Sequence, residues 1–278
     1  MLESTRPLAV ITGASSGIGA EFARQLASRG YDLLLAARRE DLLKQTAEEI
    51  RKRCAVHVDI LVADLATDND RQELAARVRS APNLAVLVNN AGFGTNGFFT
   101  DVDLASQEQM HKLHVLATMT LSHAALENLS KRGEMDSKTG IINVASVASF
   151  GQSPTNVSYC ATKTWMASFT NGLATELAMR GSPIRVQALC PGFTYSEFHD
   201  VLKMNRSMVP KSLWMTAEFV VTESLRAFDR GDRVYVIPGW RYKVLVGLMR
   251  AIPEPWLRWF SIQVAHRRRK AQGKSAPS

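Results

Sequence analysis

Tyr159 and Lys163 stand four residues apart in a stretch whose apolar residues recur at helical spacing. That spacing puts both side chains on one face of a helix, one turn apart. A phenol ordinarily loses its proton near pH ~10, and an ammonium held close lowers that pKa by favouring the phenolate. The pair is therefore predicted to donate and accept a proton near neutral pH. Taken alone, the same spacing is also common in surface pairs.

Ser146 follows an apolar run, residues 141–145, that has the β-branched content and length of a buried strand. After Pro154 an amphipathic stretch is predicted to be the helix that carries Tyr159 and Lys163. At the carboxyl end of its strand, the Ser146 hydroxyl could hydrogen-bond a substrate oxygen placed between itself and the tyrosine. These three residues form the predicted catalytic group.

A glycine-rich turn follows the first predicted strand, residues 8–12, and leads into an amphipathic segment that Gly30 ends. In this arrangement, backbone N–H groups and the helix N-terminus bind a phosphate. The spacing Gly-x-x-x-Gly-x-Gly departs from the Gly-x-Gly-x-x-Gly fingerprint, and a glycine cluster alone also makes tight turns. The predicted phosphate-binding residues are Gly13, Ser15, Ser16, Gly17, Ile18 and Gly19.

Arg38 and Arg39 follow a second strand pattern, residues 32–37. In a doubly wound sheet this strand end lies near the adenosine ribose, where an acid accepts the 2′-hydroxyl and an arginine holds a 2′-phosphate. Two arginines without an acid favour NADP(H) over NAD. The alternative is that both are the solvated start of a helix over residues 41–53.

Strand-like runs recur at residues 56–63 and 84–88, with a polar helix pattern over 68–80 between them. This alternation predicts an α/β fold: a single Rossmann-like, doubly wound parallel sheet of about seven strands with helices on both faces. Residues 1–238 are expected to form this domain.

Polar residues and a small turn follow the third and fourth predicted strands, at the sheet edge where ligands bind in such folds. Asp64, followed by Leu65, is predicted to meet the adenine, while the turn at Asn90, Ala91 and Gly92 lets backbone approach a cofactor. Either motif could instead cap a helix or make a turn.

Five motifs stand in the order and spacing of the short-chain dehydrogenase/reductase family, which the sequence resembles over roughly residues 7–238. The resemblance implies a nicotinamide cofactor and hydride transfer to or from a carbonyl or alcohol. The motifs are Thr12-Gly13-x-x-x-Gly17-x-Gly19, Asn89-Asn90-Ala91-Gly92, Ser146, Tyr159-x-x-x-Lys163 and Pro191-Gly192.

The resemblance implies a role for each member of the catalytic group. Tyr159 would be the catalytic acid/base, and Ser146 would bind the substrate oxygen. Lys163 would lower the tyrosine pKa and also hydrogen-bond the nicotinamide ribose, which makes Tyr159 and Lys163 neighbours of the cofactor. Arg38 looks like the position that marks NADP preference in many members. Hydride would reach one side of the carbonyl carbon while Tyr159 protonates the oxygen.

His114 stands where many family members carry an asparagine that helps hold a water connecting the lysine to solvent. An imidazole donates, accepts and titrates near neutral pH, so His114 could serve this relay itself. It could equally be a packed helix histidine with the relay broken or rerouted. His111 and His114 resemble a metal pair, but the sequence offers no third ligand, and no metal site is predicted.

The region after Pro191 and Gly192 is expected to cover the substrate. Family members often follow these residues with a Val-x-Thr pattern whose threonine touches the cofactor carboxamide; here Thr194 and Ser196 are the candidates. Flexible and aromatic side chains nearby suit an apolar pocket for a ketone, aldehyde or acyl-chain substrate, or ordinary packing of a short lid helix. They are Phe93, Phe150, Phe198, Leu202, Met204, Met208 and Trp214.

The composition is that of an ordinary globular protein, with 278 residues, 46% of them apolar and 22% charged. Cys54, Cys160 and Cys190 lack metal-ligand spacing and suggest a reducing compartment, so a cytoplasmic location is expected. The start of the sequence lacks the apolar stretch of a signal peptide, and no run of about 18 apolar residues occurs.

The net charge of +8 is local: residues 241–278 contain nine Lys/Arg and one acid, Glu254, while the preceding residues balance. These cations are interleaved with apolar residues and tryptophans in an extension, residues 239–278. Such a segment suits a helix on an anionic membrane surface. It also suits a helical hairpin packed over the pocket or against a second subunit, with residues 267–278 exposed, and we favour packing.

Two classes of function follow. One is an NADP(H)-dependent oxidoreductase, a homo-oligomer (dimer or tetramer) that reduces a small apolar carbonyl or forms it from an alcohol. The other is a nucleotide-binding regulatory or scaffold protein without turnover. Ser146, Tyr159 and Lys163 favour the enzyme because a binding module has no need of a proton donor, whereas His114 favours the rival. A short cationic tail without a reading motif predicts no nucleic-acid partner, and no Gly-x-Ser-x-Gly elbow supports a hydrolase.

Overall fold

The computed structural model describes residues 6–131, 138–196, 209–253, 255–259 and 261–263. Within these residues the chain forms one parallel sheet of seven strands. The strands are β1 (Leu8–Thr12), β2 (Asp32–Ala37), β3 (Val58–Val62), β4 (Leu84–Asn89), β5 (Gly140–Val144), β6 (Arg185–Leu189) and β7 (Tyr235–Val236). Their order in the sheet is β3-β2-β1-β4-β5-β6-β7.

Helices alternate with the strands along the chain. They are α1 (Gly17–Ser28), α2 (Glu40–Arg53), α3 (Asp68–Ser80), α4 (Leu104–His111), α5 (Thr118–Leu129), α6 (Val157–Met179), α7 (Ala217–Arg230) and α8 (Trp240–Ala251). A π-helical turn, Lys112–Ala117, joins α4 to α5, and 3₁₀ turns lie at Val147–Phe150 and Lys211–Leu213.

Both faces of the sheet are covered, which explains why the strands are continuous apolar runs rather than alternating ones. On one face Phe22 of α1, Leu43 of α2 and Leu225 of α7 join the core. On the other face Leu74 of α3 and Leu121 of α5 do so. The predicted fold class, a doubly wound parallel sheet of seven strands with helices on both faces, is confirmed.

Several element boundaries differ from the sequence-based ones. The catalytic helix begins at Val157 instead of directly after Pro154, since Thr155 has a left-handed backbone with φ of 76° that interrupts a helix. The segment 233–238 has the apolar pattern of a last strand, but only Tyr235–Val236 forms one because just these two residues pair with β6. The strand predicted over residues 56–63 is shortened to Val58–Val62.

The strand order reverses between β2 and β4, on either side of β1. In open α/β sheets such a switch point leaves a crevice at the carboxyl ends of the strands, where ligands bind. The glycine turn after β1, the turn after β4 and Ser146 after β5 all lie at this edge. The topology therefore brings together motifs that are more than one hundred residues apart in sequence.

Some predicted features lie outside the described residues. They are Phe198, Leu202, Met204, Met208 and the basic residues from Arg267 onward. The three cysteines are unpaired. Of the helices described, none combines the length and the apolarity needed to cross a bilayer.

Candidate active site

A cavity of about 530 Å³ opens at the switch point of the sheet. Every site residue predicted from the sequence lines it except Gly19 and His114. Its lining runs from Arg38 and Arg39 at one end, past the glycine turn, to Tyr159 and Lys163. The structure therefore joins the predicted nucleotide-binding and catalytic residues in one continuous site.

The glycine turn is built so that side chains would obstruct it. Gly13 and Gly17 have φ of 66° and 56°, which strain any other L-residue. A Cβ at Gly19 would lie 2.3 Å from the carbonyl oxygen of Gly13, so Gly19 permits the close packing of the turn without lining the cavity. The first turn of α1 contains no acid, which leaves its positive N-terminus open to an anion.

Asn90 fastens the glycine turn to the turn after β4. Its side-chain Nδ2 donates to the carbonyl oxygens of Thr12 at 2.9 Å and Gly13 at 3.2 Å. The Thr12 hydroxyl in turn accepts from the backbone N–H groups of Asn90 and Ala91, at 2.9 and 3.0 Å. The Asn90 side chain thus fixes the two turns against each other, while Ala91 and Gly92 line the cavity.

Arg38 and Arg39 bring two guanidinium groups to the same end of the cavity. Arg39 donates to the hydroxyls of Ser15 at 3.1 Å and Ser16 at 2.7 Å, which places its guanidinium beside the glycine turn. Arg38 pairs with the Asp64 carboxylate at 3.7 Å. Both arginines line the cavity, and an anionic group between them and the serines would meet a cluster of donors.

Tyr159 and Ser146 are hydrogen-bonded to each other inside the cavity. The Ser146 Oγ also accepts from the backbone N–H of Ala148 at 3.1 Å, which orients the hydroxyl at the start of a 3₁₀ turn. Burial raises the pKa of Tyr159 to about 12 because it disfavours the phenolate, and the Ser146 bond opposes this only in part. The phenol is therefore protonated at neutral pH.

Lys163 lies one helix turn after Tyr159 and lines the same cavity. Its buried ammonium Nζ donates to the carbonyl oxygen of Val144 at 2.7 Å and lies 5.9 Å from the centre of the Tyr159 ring. Burial lowers the pKa of Lys163 to about 7. Desolvation is the largest influence on Tyr159 and shifts its pKa upward, opposite in direction to the lowering expected from Lys163.

His114 is fully buried on the π-helical turn, behind the cavity wall. Its Nδ1 lies 2.9 Å from the Thr162 hydroxyl, which itself donates to the Tyr159 carbonyl, so the imidazole donates from Nδ1. The ring meets the Tyr159 ring edge-on at 6.0 Å. Its Nε2 faces Gly92, where a Cβ would lie 2.5 Å away, and has no hydrogen-bond partner among the described residues.

The protonation of His114 follows from this burial. Desolvation, aided by the nearby Lys163 charge, lowers the pKa of His114 well below its ordinary value, so the ring is neutral at pH 7. A neutral imidazole with an open Nε2 can accept a hydrogen bond but does not titrate near neutrality. The geometry thus favours a positioning contact on the Tyr159 turn over a titrating relay.

Sequence reasoning missed the role of Tyr242, a residue of α8 that holds the cavity-lining loop at Gly192 and Phe193. Its hydroxyl accepts from the Phe193 N–H at 2.9 Å and donates to the Leu213 carbonyl at 2.6 Å. Its ring occupies the space beside Gly192, where a Cβ would lie 2.0 Å from it. No local pattern in the sequence connects a glycine at 192 with a tyrosine fifty residues later.

The expected pocket aromatics divide into two groups. Phe93 lines the cavity, together with Phe193, which was not among the expected residues. Phe150 instead packs edge-on against Tyr235 at 5.8 Å. Trp214 stacks on Tyr195 at 4.9 Å and meets Phe193 in a tilted contact at 5.5 Å between ring centroids. It therefore supports the loop after Gly192 and does not line the cavity.

The fold and this cavity define a class of protein. A doubly wound sheet with a glycine turn at its switch point, and Ser146, Tyr159 and Lys163 lining the same cavity, has the parts of a dinucleotide-dependent oxidoreductase. The chain belongs to the short chain dehydrogenase family, whose sequence model matches residues 7–206. Members of this family use nicotinamide cofactors.

A curated relative and two solved structures illustrate the likeness. The very-long-chain 3-oxoacyl-CoA reductase of Anas platyrhynchos is 28% identical over 244 residues, covering 85% of this chain and 75% of the relative. A short-chain dehydrogenase from Sphingobium yanoikuyae in complex with NADPH has a TM-score of 0.77 at 32% identity, covering 89% of this chain and 97% of that one. One from Burkholderia phymatum in complex with NAD has a TM-score of 0.77 at 26% identity, covering 89% and 94%.

Proposed function

We propose that this protein is an NADP(H)-dependent reductase that converts an apolar ketone or aldehyde to an alcohol, with Tyr159 as the acid. The observation that carries the proposal is the half-buried Tyr159 side chain, whose hydroxyl is hydrogen-bonded to Ser146 and lines the nucleotide cavity. With a pKa raised to about 12, this phenol keeps its proton at neutral pH. A protonated phenol is suited to donate to the alkoxide that forms during reduction.

Each residue group of the cavity has its own role in the proposed reaction. The bound cofactor supplies the hydride. Ser146 holds the substrate oxygen, and Tyr159 transfers its hydroxyl proton to that oxygen. The α1 N-terminus and the turn after Gly13 hold the phosphates. Lys163 binds the nicotinamide ribose after its ammonium leaves the Val144 carbonyl.

The remaining cavity residues complete the proposed cofactor site. Leu65 and Asp64 border the adenine, and the backbone at Ala91 and Gly92 approaches the nucleotide. Pro191, Gly192, Thr194 and Ser196 border the nicotinamide end. His114 acts through the turn that carries Tyr159.

The preference for NADP(H) rests on the two guanidinium groups beside the serines of the glycine turn. Solved relatives bind NADPH in one case and NAD in another, so the preference belongs to the particular residues. We expect Arg39→Ala and Arg38→Ala each to raise the Kd for NADPH about 10- to 100-fold, the effect of losing one charge-assisted hydrogen bond. The Kd for NADH, which lacks the 2′-phosphate on the adenosine ribose, should change little.

The two Kd values are measured by titrating nicotinamide fluorescence. Arg53→Ala is the matched control, because Arg53 lies at the far end of α2 and pairs with Glu49. An equal loss of NADPH and NADH affinity in both arginine variants would contradict a phosphate-specific role, as would no loss in either.

The substrate class is inferred from the aromatic wall formed by Phe93 and Phe193. An apolar wall favours an apolar carbonyl compound. The relative from Anas platyrhynchos is named for a substrate of this kind, a very-long-chain 3-oxoacyl-CoA. The first test is therefore NADPH oxidation with apolar ketones, aldehydes and 3-oxoacyl thioesters, and we expect turnover with at least one compound of this panel.

A binding protein without turnover is the alternative function, and His114 is the residue that favours it. Tight NADPH binding without oxidation of any panel compound would support that alternative. The panel is then repeated with His114→Asn, which carries the side chain that many family members have here. Turnover gained by this variant would locate the defect at His114, whereas continued inactivity would count against the reductase.

We also infer a homo-oligomer, a dimer or tetramer. Large apolar side chains are exposed on neighbouring helices around α5 and α6: Leu104, Leu116, Met119 and Val157. Exposed apolar side chains on elements that contact one another favour association with another protein surface.

A further inference from the structure

Helix α8 is apolar on two opposite sides. Tyr242 and Val246, four residues apart, are buried against the body of the protein at 3% and 2% exposure. On the opposite side Trp240, Val244 and Leu248 are 68%, 54% and 56% exposed. Their spacing of four residues places these three side chains on one outward face. The anchoring of α8 through one face thus leaves a second apolar face directed away from the protein.

Cations border this outward face of α8. Lys243 and Arg250 are exposed along one flank, about two turns apart, and Arg241 lies on the other. Arg241 stacks over Trp240 at 5.3 Å and also donates to the Ser212 carbonyl at 2.7 Å. An apolar stripe flanked by lysine and arginine is the pattern of a helix that lies in a lipid interface.

The chain beyond α8 also combines exposed apolar side chains with cationic residues. Residues 255–259 and 261–263 are helical, and Trp256, Trp259 and Ile262 are 62%, 54% and 41% exposed. Tryptophan is favoured where an apolar phase meets water, since its ring is apolar and its N–H is polar. Residues 264–278 add five more Lys/Arg and no acid to the sequence.

We propose that the outward face of α8, formed by Trp240, Val244 and Leu248, docks on an anionic lipid membrane. The apolar residues enter the interface, and the flanking cations meet the lipid headgroups. The positive charge of the segment 241–278, nine cations against one acid, favours an anionic lipid surface as the partner. A second copy of the same face would bring like charges together, which opposes self-association through it.

The helix that carries the docking surface contacts a loop that lines the cavity. Tyr242 on the inner side of α8 holds the loop at Phe193, a cavity-lining residue. Met249 packs where a Cβ of Gly151 would lie, only 2.2 Å from its terminal carbon. A protein docked through α8 would therefore hold its cavity close to the lipid surface.

The test is sedimentation of the full chain with vesicles. Wild-type protein is expected to sediment with phosphatidylcholine vesicles that contain phosphatidylserine and to stay in solution with pure phosphatidylcholine. Val244→Ser/Leu248→Ser should weaken partitioning at least about tenfold by removing apolar area. Lys243→Gln/Arg250→Gln should weaken it about 20- to 30-fold, because each cation near an anionic surface contributes about fivefold.

Matched controls distinguish binding through this face from nonspecific effects of surface apolarity and of net charge. Val62→Ser/Met179→Ser removes two exposed apolar side chains elsewhere, and Lys52→Gln/Arg53→Gln removes two exposed cations of α2. Both controls should partition as wild type does. Thermal unfolding of every variant checks that the exposed substitutions leave the fold intact.

Three outcomes would overturn the proposal. The first is wild-type protein that ignores anionic vesicles at low salt. The second is vesicle binding that the α8 variants retain but deletion of residues 264–278 abolishes, since the tail alone would then be responsible. The third is a concentration-dependent oligomer that Val244→Ser/Leu248→Ser dissolves, because the face would then be an interface between copies. None of these readouts involves turnover, so the result is independent of the proposed reductase activity.

Discussion

Tyr159→Phe is expected to lower kcat for carbonyl reduction about 10²- to 10⁴-fold, the range of a lost general acid. The substitution removes the hydroxyl that Ser146 contacts and keeps the ring that packs against His114. Affinity for NADPH should change little, because most of the predicted cofactor contacts lie elsewhere. Rates of NADPH oxidation, together with a fluorescence titration of cofactor binding, measure the two quantities separately.

Tyr235→Phe is the matched control for this experiment. Tyr235 is a partly buried tyrosine that packs on Phe150 and does not line the cavity. The control should retain wild-type turnover. If Tyr159→Phe also retained it, the assignment of the acid would be wrong. The pKa of about 12 further predicts that reduction by the wild-type enzyme loses this acid only at strongly alkaline pH, as the phenol deprotonates.

Lys163→Met is expected to reduce kcat/KM at least about 10- to 100-fold and, at the same time, to stabilise the fold at neutral and lower pH. The loss of activity follows from losing the charged donor proposed for the nicotinamide ribose. The gain in stability follows from burial, which lowers the pKa of Lys163 to about 7. Below that pH the folded protein must hold a buried charge, which is unfavourable.

The pH dependence of this stability gain has a definite sign. An unfolded lysine titrates near pH ~10.4, so between about pH 7 and 10 the unfolded chain binds more protons than the folded one. The free energy of unfolding of wild type therefore rises with pH across this window, as the destabilisation caused by Lys163 disappears. The advantage of Lys163→Met should accordingly be largest below pH 7 and shrink toward pH 10.

Thermal unfolding from pH 6 to 10 measures this difference. Lys163→Arg is the informative control, because arginine stays charged throughout the range and should show no such relief at high pH. A difference between wild type and Lys163→Met that is constant with pH would contradict a depressed lysine pKa. The Val144 carbonyl, which loses its partner in the methionine variant, sets a constant offset that does not affect the slope.

The sheet was predictable because a strand that is buried on both faces of the sheet appears in the sequence as a continuous apolar run. Residues 8–12 and 32–37 match β1 and β2 for this reason. The helix start at Val157 was not predictable from apolar spacing, since it depends on the left-handed backbone of Thr155. The short strand β7 depends on its pairing partner. Local pattern fixes the type of an element better than it fixes its ends.

The cavity residues were predictable as a set, but their interactions were not. Motif order placed Tyr159, Ser146 and Lys163 together, and the structure brings them to one cavity. The direction of the tyrosine pKa depends on how much protein surrounds the phenol, which sequence spacing does not report. Asn90 lines the cavity as expected, but its side-chain bond across a separation of 77 residues, which joins two turns, was not predicted.

The contact between Gly192 and Tyr242 makes two distant positions depend on each other. The tyrosine ring fills the volume that any side chain at 192 would need, and its hydroxyl satisfies two backbone groups of the neighbouring loops. Neither residue can be exchanged alone without a clash or a void. A chimera that takes its C-terminal segment from a relative would need the matching residue at 192 as well, so the two positions should be transplanted as a pair.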